Sequence, residues 1–289
     1  MPSEVIRELD PQAGQTMLDA TVGLGGHATL ILERLLPGGR LVGVDRDREA
    51  LERAGKRLGK FGSGVFLHRG RFSEIRSALR AAGVREEGGL HGILFDLGVS
   101  SYQLDRPLRG FSFARPGPLD MRMEPGAGES AAEFLARAPL QEIERVLREY
   151  GEEPAARRIA RAIDRRRREG SLLTTLDLAQ AVEEVLPRRG GKIHPATRTF
   201  QAVRIAVNDE LAELRLALLE VDRFLAPGGR VVVLSYHSLE DRLVKESFRE
   251  RVREGIFEKT SKVLRPGQEE IEENPRSRSA RLRSAVRRA

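Results

Sequence analysis

The chain has no cysteine and no tryptophan, and aromatic residues make up only 5% of it. Without cysteine it can form no disulfide and no thiolate nucleophile, and the missing thiolates argue against a structural zinc site. No apolar run reaches the length that a transmembrane helix requires, and the short, mixed N-terminus lacks the pattern of a signal peptide. These absences predict a cytoplasmic protein with no membrane association.

With 289 residues, of which 40% are hydrophobic, the chain is long enough for one large or two medium domains. Its formal net charge of +7, from 50 Lys and Arg against 43 Asp and Glu, predicts a polyanionic partner. A run of arginines is usually a solvated helix face, but two separate clusters in a basic chain favour nucleic acid. The clusters contain Arg157, Arg158, Arg161 and residues 165–168, and then Arg276, Arg278, Arg281, Arg283, Arg287 and Arg288.

A glycine-rich stretch over residues 16–27 predicts a short buried strand, a tight turn at Gly23, Gly25 and Gly26, and then a helix. A second apolar strand over residues 40–45 ends at Asp45. This order is typical of the nucleotide-binding half of a doubly wound α/β sheet. The helix N-terminus and the bare amides of the turn would face the ligand, and Asp45 is placed to accept hydrogen bonds from ribose hydroxyls.

The glycine spacing does not identify the nucleotide, because Gly23-x-Gly25-x-x-Ala28 also fits the dinucleotide fingerprint. Asp19, on the first strand just before the turn, suits an ammonium group better than a pyrophosphate. S-adenosylmethionine carries an amino acid end and no phosphate, so we favour it as the cofactor. The alternatives are an oxidoreductase with a nicotinamide cofactor and, for Asp19 alone, a capping or turn acid.

Further strands end at the same predicted edge of the sheet. Phe72 follows a third strand over residues 65–70, and Asp96 ends a fourth over residues 92–96. Ligands bind at the carboxyl ends of strands in such sheets, so Phe72 could cover an adenine ring or simply pack against the next helix. A fifth strand over residues 231–235 and two C-terminal strands near 258–264 and 279–286 would close the sheet as in methyltransferases.

Between the fourth and fifth strands the pattern is different. A loop over residues 104–128, rich in Pro, Gly and Arg, is too long for an ordinary connection, and helical periodicity follows it. We therefore predict an α/β protein with a class I, Rossmann-like methyltransferase sheet and an inserted helical domain. Residues 1–103 and 206–289 would bind the cofactor, and residues 104–205 would recognise the substrate. Helices are predicted over residues 130–137, 140–150, 154–168, 175–186 and 208–225.

Six segments together resemble one family, the bacterial small-subunit (16S) ribosomal RNA cytosine-N4 methyltransferases, also called the MraW-like family. They span almost the whole chain in order, and as a set they are specific although each alone is weak. The segments are 19–27 (DATVGLGGH), 96–101 (DLGVSS), 119–123 (LDMRM), 194–201 (HPATRTFQ), 237–242 (HSLEDR) and 274–280 (NPRSRSA).

The resemblance implies a class I S-adenosylmethionine fold, and a cytosine in the decoding region of the small ribosomal subunit as the substrate. The partner would be small-subunit ribosomal RNA, and an assembled subunit would display the base unstacked. The family's cofactor pattern falls on Gly25, Gly26, His27, Asp45, Phe72, Asp96 and Gln103. Asp19 and Gly23 are also candidate cofactor-binding residues, because of their positions on the first strand and in the turn that follows it.

Asp96 is the candidate catalytic residue. The cytosine N4 is a poor nucleophile, and a carboxylate that accepts one N4–H would raise its electron density and take the proton. Asp96 either positions this amino group or contacts the cofactor. Amino methyltransferases often continue here with Pro-Pro and an aromatic, but this chain reads Asp-Leu-Gly-Val, so the stacking aromatic must come from elsewhere. The candidates are Tyr102, Phe111, Phe113 and Tyr236.

Substrate contacts are expected from Arg115, Arg122 and His237, together with both arginine clusters. His68 and His91 are interpreted as structural. No pair of histidines has a convincing metal-ligand spacing, so no metal requirement is predicted. A non-catalytic RNA-binding factor would also explain the charge, but it would not explain why Gly25, Asp45, Phe72 and Asp96 point to one site.

Overall fold

The computed structural model describes residues 1–187 and 194–289, and it separates into two compact units. The first unit contains Met1–Gly98 and Leu211–Ala289, and the second contains Val99–Glu210. The predicted domain limits at 103 and 206 therefore lie close to the observed limits at 98 and 211. Residues 188–193, within the predicted inserted domain, lie outside the described residues.

The first unit contains a seven-stranded sheet in the order β3-β2-β1-β4-β5-β7-β6. Neighbouring strands from β3 to β5 are parallel, whereas β7 runs antiparallel to both β5 and β6. This arrangement confirms the predicted class I methyltransferase sheet with its C-terminal hairpin. The strands are β1 (Thr16–Asp19), β2 (Arg40–Asp45), β3 (Val65–Arg69), β4 (Leu90–Asp96), β5 (Leu225–Ser235), β6 (Phe257–Thr260) and β7 (Arg281–Arg287).

The helices confirm most of the periodicities read from the sequence. None of those in the described ranges combines the length and the apolar composition needed to cross a membrane. They are α1 (Pro2–Leu9), α2 (Gly26–Leu35), α3 (Arg48–Leu58), α4 (Ile75–Ala81), α5 (Ser101–Asp105), α6 (Ala131–Arg137), α7 (Leu140–Glu149), α8 (Ala156–Arg168), α9 (Thr175–Glu183), α10 (Thr197–Asn208), α11 (Glu210–Phe224), α12 (Ser238–Arg253) and α13 (Gln268–Glu273).

The sheet of the first unit is covered by apolar side chains on both faces. Along β1, Met17 belongs to one buried cluster and Leu18 to the other, because successive side chains of a strand point to opposite faces. Along β4, Phe95 and Leu94 divide between the two clusters in the same way. Burial on both faces explains why these strands read as nearly continuous apolar runs.

The second unit has its own core, built by α6–α10 and part of the preceding loop. Phe111, Met121, Phe134, Ile163 and Phe200 all lie in it. Asn208 fixes the loop, because its side chain donates to the Met121 carbonyl at 2.7 Å and accepts from the Met123 N–H at 2.8 Å. The long loop is thus a packed part of this unit.

One helix was missed. The helix predicted over residues 208–225 corresponds to α11 (Glu210–Phe224), but no helix was predicted where α10 covers Thr197–Asn208. Asp209 adopts a left-handed conformation (φ 51°), which ends α10 before α11 begins. The structure therefore has two helices where the sequence predicted one. The break between them depends on the backbone conformation of a single residue, Asp209.

Candidate functional site

The three acids predicted to bind the cofactor come together at one edge of the first unit's sheet. Asp19 ends β1, Asp45 ends β2 and Asp96 ends β4. The strands are adjacent and parallel, with Asp19 in register with Gly43 of β2 and Leu94 of β4. Carboxyl ends of parallel strands share one edge of a sheet, which is where ligands bind in doubly wound folds.

The glycine turn between β1 and α2 needs glycine at two positions. Gly23 has a φ of 50°, and its N–H donates to Asp45 Oδ2 at 2.9 Å. Gly25 has a φ of 79° and is the N-cap of α2, and a Cβ there would lie 3.2 Å from Leu58 Cγ. Within the described part of the chain, no side chain caps α2, so its first amide N–H groups are available to an anionic ligand group.

Thr21 connects the ends of β1 and β4, and the sequence interpretation missed it. The Asp96 N–H donates to Thr21 Oγ1 at 2.6 Å, and the Thr21 N–H donates to Asp19 Oδ1 at 3.1 Å. The Thr21 hydroxyl thereby accepts a hydrogen bond from the end of β4. The Thr21 backbone N–H orients the carboxylate of Asp19 at the end of β1. The signal in the sequence that could have identified Thr21 is a hydroxyl residue between Asp19 and Gly23.

Burial gives Asp19 an unusual protonation equilibrium. The residue is 1% exposed, and burial raises the pKa of its carboxyl to about 7, although His27 and the Thr21 N–H act in the opposite direction. The nearby charges of Asp96 and Asp45 add to the increase. Burial also raises the pKa of Asp45, against hydrogen bonds from the Asp47 and Gly23 amides. A cationic ligand group would favour ionisation of Asp19.

Two side chains contact the carboxylate of Asp96. The Tyr236 hydroxyl donates to Oδ1 at 2.9 Å, and His27 Nδ1 lies 3.4 Å from Oδ2. Burial opposes the charge on His27, but the hydrogen bond and charge of Asp96 outweigh it and raise the pKa of the imidazole. His27 was a predicted site residue. Tyr236 was predicted only as a candidate for stacking, and its bond to Asp96 was missed.

Phe72 begins a short 3-10 helix (Phe72–Glu74) directly after β3. Its ring packs edge-on against Phe95, with centroids 5.8 Å apart and planes at 89°. Glu213 of α11 holds the next residue, since its carboxylate accepts from the Ser73 hydroxyl at 2.9 Å and from the Ser73 N–H at 3.3 Å. The packing role of Phe72 is therefore observed, and its contact with an adenine ring stays a prediction.

Gln103, Arg115 and Arg122 lie in the second unit, whereas the three acids lie in the first. Gln103 is buried and forms a capping box at the start of α5 with Ser100. Arg115 donates to the Asp105 carbonyl at 2.9 Å. Each of these contacts gives the side chain a structural function, and their cofactor and substrate functions stay predictions.

Arg122 and His237 are also engaged within their own units. Arg122 binds Asp120 through Nε and Nη2, both at 2.8 Å, which raises the pKa of the guanidinium. His237 is the N-cap of α12, where Nδ1 accepts from the Glu240 N–H at 3.4 Å. Their substrate contacts, like those of Arg115, stay predictions.

The structure narrows the aromatic candidates for stacking on the base. Phe111 was a wrong candidate, because it is buried in the core of the second unit. Phe113 is only partly buried, but it packs on His194 at 4.4 Å and on Phe200 at 4.8 Å between ring centroids. The Tyr102 ring lies 4.3 Å from the guanidinium of Arg106. Tyr102 and Phe113 remain candidates in the second unit.

The first arginine cluster lies on α8 and divides into two halves. In the C-terminal half, Arg165 and Arg166 pair with Glu184, and Arg167 and Arg168 pair with Asp164. In the N-terminal half, Arg157 and Arg161 are exposed and have no acidic partner among the residues that the structure describes. These two residues, spaced one helical turn apart, form the exposed basic pair of α8.

The second arginine cluster is largely part of the sheet rather than a free tail. Arg281 and Arg283 belong to β7, and both bind Asp241 of α12, at 3.1 and 2.7 Å. These bonds lower the pKa of the Asp241 carboxyl, although burial acts against them. The C-terminal segment has no acid of its own near these positions, but the fold supplies one from α12.

The amino-acid sequence of the chain was compared with known protein families and with known proteins. A model of the MraW methylase family matches residues 1–288. The ribosomal RNA small subunit methyltransferase H of Syntrophotalea carbinolica is 48% identical over 308 aligned positions, covering 100% of this chain and 96% of the relative. The protein of the same name from Methylococcus capsulatus is 49% identical over 302 positions, covering 100% of both.

Proposed function

The chain belongs to the MraW methylase family, and from that premise we propose that it methylates the N4 amino group of a cytosine in small-subunit ribosomal RNA. The methyl donor is S-adenosylmethionine, and the target base lies in the decoding region. Membership of a methylase family favours this activity over the nicotinamide-dependent oxidoreductase. The names of the relatives support the RNA class, and the resemblance of the six sequence segments supports cytosine N4. Such a substrate agrees with the predicted cytoplasmic location.

One observation carries the cofactor assignment: Asp19, Asp45 and Asp96 meet beside an uncapped helix N-terminus. These groups fit S-adenosylmethionine, because Asp45 can accept from ribose hydroxyls and Asp19 can bind an ammonium group. The amide N–H groups of α2 suit the carboxylate of the amino acid end. When bound, the cofactor supplies an electrophilic methyl group on a sulfonium.

The residues of the chain act mainly by placing the reactants. Methyl transfer is an in-line displacement, and its rate depends on holding nucleophile, methyl and sulfur collinear in a site without water. Asp96 is the carboxylate at the centre of this edge, fixed by Tyr236, His27 and the bond from its own N–H to Thr21. It contacts the cofactor or orients the amino group of the cytosine.

The exposed basic pair of α8, Arg157 and Arg161, is the best-supported RNA contact of the second unit. Both side chains are exposed, so neutralising phosphates costs them no ion pair within the described residues. Arg165 and Arg168 are instead already paired with carboxylates. Phosphate contacts of this kind release counterions, so RNA binding should weaken steeply with salt.

The direct test is a methylation assay with labelled S-adenosylmethionine and small ribosomal subunits from a strain without this protein. We expect methyl incorporation into the RNA, and mass spectrometry should identify the product as N4-methylcytidine in the decoding region. Assembled subunits should be better substrates than naked RNA, because they display the base unstacked. Asp96→Ala should lose cofactor affinity, turnover or both.

The alternatives give different outcomes in the same experiments. RNA binding without methyl incorporation would support a non-catalytic RNA-binding factor. A thermal shift with NAD and none with S-adenosylhomocysteine would support the oxidoreductase. Equal methylation rates with naked RNA and assembled subunits would contradict the expected preference for the assembled subunit. They would not contradict the proposed methyl transfer.

A further inference from the structure

Both the backbone and the ring of Tyr236 make contacts at the edge of the sheet where the cofactor is proposed to bind. It is the first residue after β5, and its backbone N–H donates to Glu240 Oε2 of α12 at 2.9 Å. Its ring packs beside Gly98, where an added Cβ would lie 3.6 Å from Tyr236 Cδ2. The residue is half-buried.

The hydroxyl of Tyr236 can act only as a donor to Asp96. Burial and the charge of Asp96 raise the pKa of Tyr236 above its ordinary value, so the phenol keeps its proton throughout the physiological range. The hydrogen bond to Asp96 Oδ1 is 2.9 Å long. Charge-assisted bonds of this kind are stronger than neutral ones.

Tyr236 therefore binds one oxygen of Asp96, and His27 faces the other. Oδ2 lies 3.4 Å from His27 Nδ1, at the start of α2 and beside the glycine turn. The backbone of Asp96 is also fixed, because its N–H donates to Thr21 Oγ1, so the residue is held by contacts to Tyr236, His27 and Thr21.

We propose that Tyr236 is a positioning residue for methyl transfer, which acts by holding Asp96 with Oδ2 directed toward the cofactor end of the site. This inference rests on the proposed function, in which Asp96 serves the cofactor site. It assigns Asp96 mainly to cofactor binding, because Oδ2, which faces His27 at the start of α2, lies next to the glycine turn. In this role Tyr236 acts through Asp96 and not on a reacting atom.

The test is a double-mutant cycle with Tyr236→Phe, Asp96→Asn and the double variant. Tyr236→Phe removes only the hydroxyl, so we expect the dissociation constant of S-adenosylhomocysteine and the KM for S-adenosylmethionine to rise about tenfold. The kcat should change much less than KM. In the Asp96→Asn background the same substitution should have little further effect, because the charged acceptor is gone.

Tyr150→Phe is the matched control, since Tyr150 lies in the second unit, where its ring is beside Arg145. It should leave cofactor affinity unchanged. If Asp96→Asn binds too weakly to measure, the coupling is taken from the unfolding free energies of the same four proteins, which need no ligand.

Wild-type affinity in Tyr236→Phe would overturn the proposal, and so would an equal effect of the substitution in the Asp96→Asn background. A fall in kcat with unchanged KM would also overturn it. Failure of the proposed function has a different signature: the wild-type protein would transfer no methyl group to the RNA, whereas the cycle measured by S-adenosylhomocysteine binding would still report on the Tyr236–Asp96 contact.

Discussion

The carboxylate of Asp45 accepts a hydrogen bond from the backbone N–H of Gly23 at 2.9 Å, and this bond ties the end of β2 to the turn that follows β1. Its other oxygen accepts from the Asp47 N–H at 2.8 Å. Both oxygens of Asp45 thus shape the site, and their remaining lone pairs can accept from ribose hydroxyls.

Replacing Asp45 by Asn should weaken cofactor binding strongly. An amide has one acceptor oxygen, so the variant cannot satisfy both the Gly23 and the Asp47 N–H groups, and its NH₂ group would face a donor. Losing a hydrogen bond to a charged group costs about 1.5–3 kcal/mol, which predicts at least a tenfold rise in the dissociation constant of S-adenosylhomocysteine. Isothermal titration calorimetry measures it.

Glu52→Gln is the control for the loss of one acid in the same unit. Glu52 is exposed, and among the residues that the structure describes its ion-pair partner is Arg48 on the same helix, at 2.9 Å. Its replacement should leave the dissociation constant within about twofold, since exposed i,i+4 pairs contribute little. Equal affinities for Asp45→Asn and the wild-type protein would remove Asp45 from the cofactor site.

Asp19 should make both stability and cofactor affinity depend on pH. Burial raises the pKa of its carboxyl in the folded protein to about 7, from an ordinary value of 3.8. Between these values the folded state holds a proton that the unfolded state has lost. The contribution of Asp19 to stability is therefore fully present below about pH 4 and is lost as the pH rises to about 7.

Unfolding experiments at several pH values should show this loss as the difference between the wild-type protein and Asp19→Asn. Relative to the variant, the wild-type protein should lose on the order of a few kcal/mol between pH 4 and pH 7. Affinity for S-adenosylhomocysteine should follow the opposite trend and rise between pH 6 and pH 8, because the ionised carboxyl binds the ammonium group. Parallel pH profiles of the two proteins would contradict this account.

The sequence predicted the elements that follow periodicity and the acids that end strands. Asp19, Asp45 and Asp96 were identified because a buried parallel strand is a distinct apolar run and its end is easy to locate. The contacts made by Thr21 and Tyr236 were missed. Thr21 bonds across the sheet to a residue 75 positions away, and Tyr236 to one 140 positions away, and such pairings depend on strand order.

Charge patterns were less informative than apolar patterns. The arginines of α8 read as one basic face, but four of the seven pair with Glu184 and Asp164, of which Glu184 comes from a region C-terminal to α8. Similarly, Asp241 of α12 pairs with two arginines of β7. Composition counts charges, whereas only packing determines which of them remain available to a partner.

Glu213 should influence cofactor binding through Phe72. Its carboxylate holds both donors of Ser73, and Arg71 lies 3.6 Å from its second oxygen, so it fixes the short helix that carries Phe72. Glu213→Ala should lower the unfolding free energy by on the order of 1 kcal/mol and raise the KM for S-adenosylmethionine severalfold. Steady-state kinetics with thermal unfolding would measure both.

Glu220→Ala is the matched control, because Glu220 is on the same helix and pairs with Arg76 at 2.9 Å and Arg223 at 3.7 Å. It should affect stability slightly and KM not at all. A similar KM in all three proteins would show that the position of Phe72 does not matter for the cofactor.

The exposed basic pair of α8 can be tested against an equal change of charge on the same helix. Arg157→Gln with Arg161→Gln removes two cations that have no acidic partner in the described part of the chain, whereas Arg165→Gln with Arg168→Gln removes two that are paired. Both double variants lose the same net charge. The first should weaken binding to small-subunit ribosomal RNA about tenfold or more and reduce the salt slope by about two, one for each lost phosphate contact. The second should have a smaller effect, because its arginines already neutralise carboxylates. Fluorescence anisotropy at several salt concentrations distinguishes the two, and equal losses would mean that overall charge, not this pair, attracts the RNA.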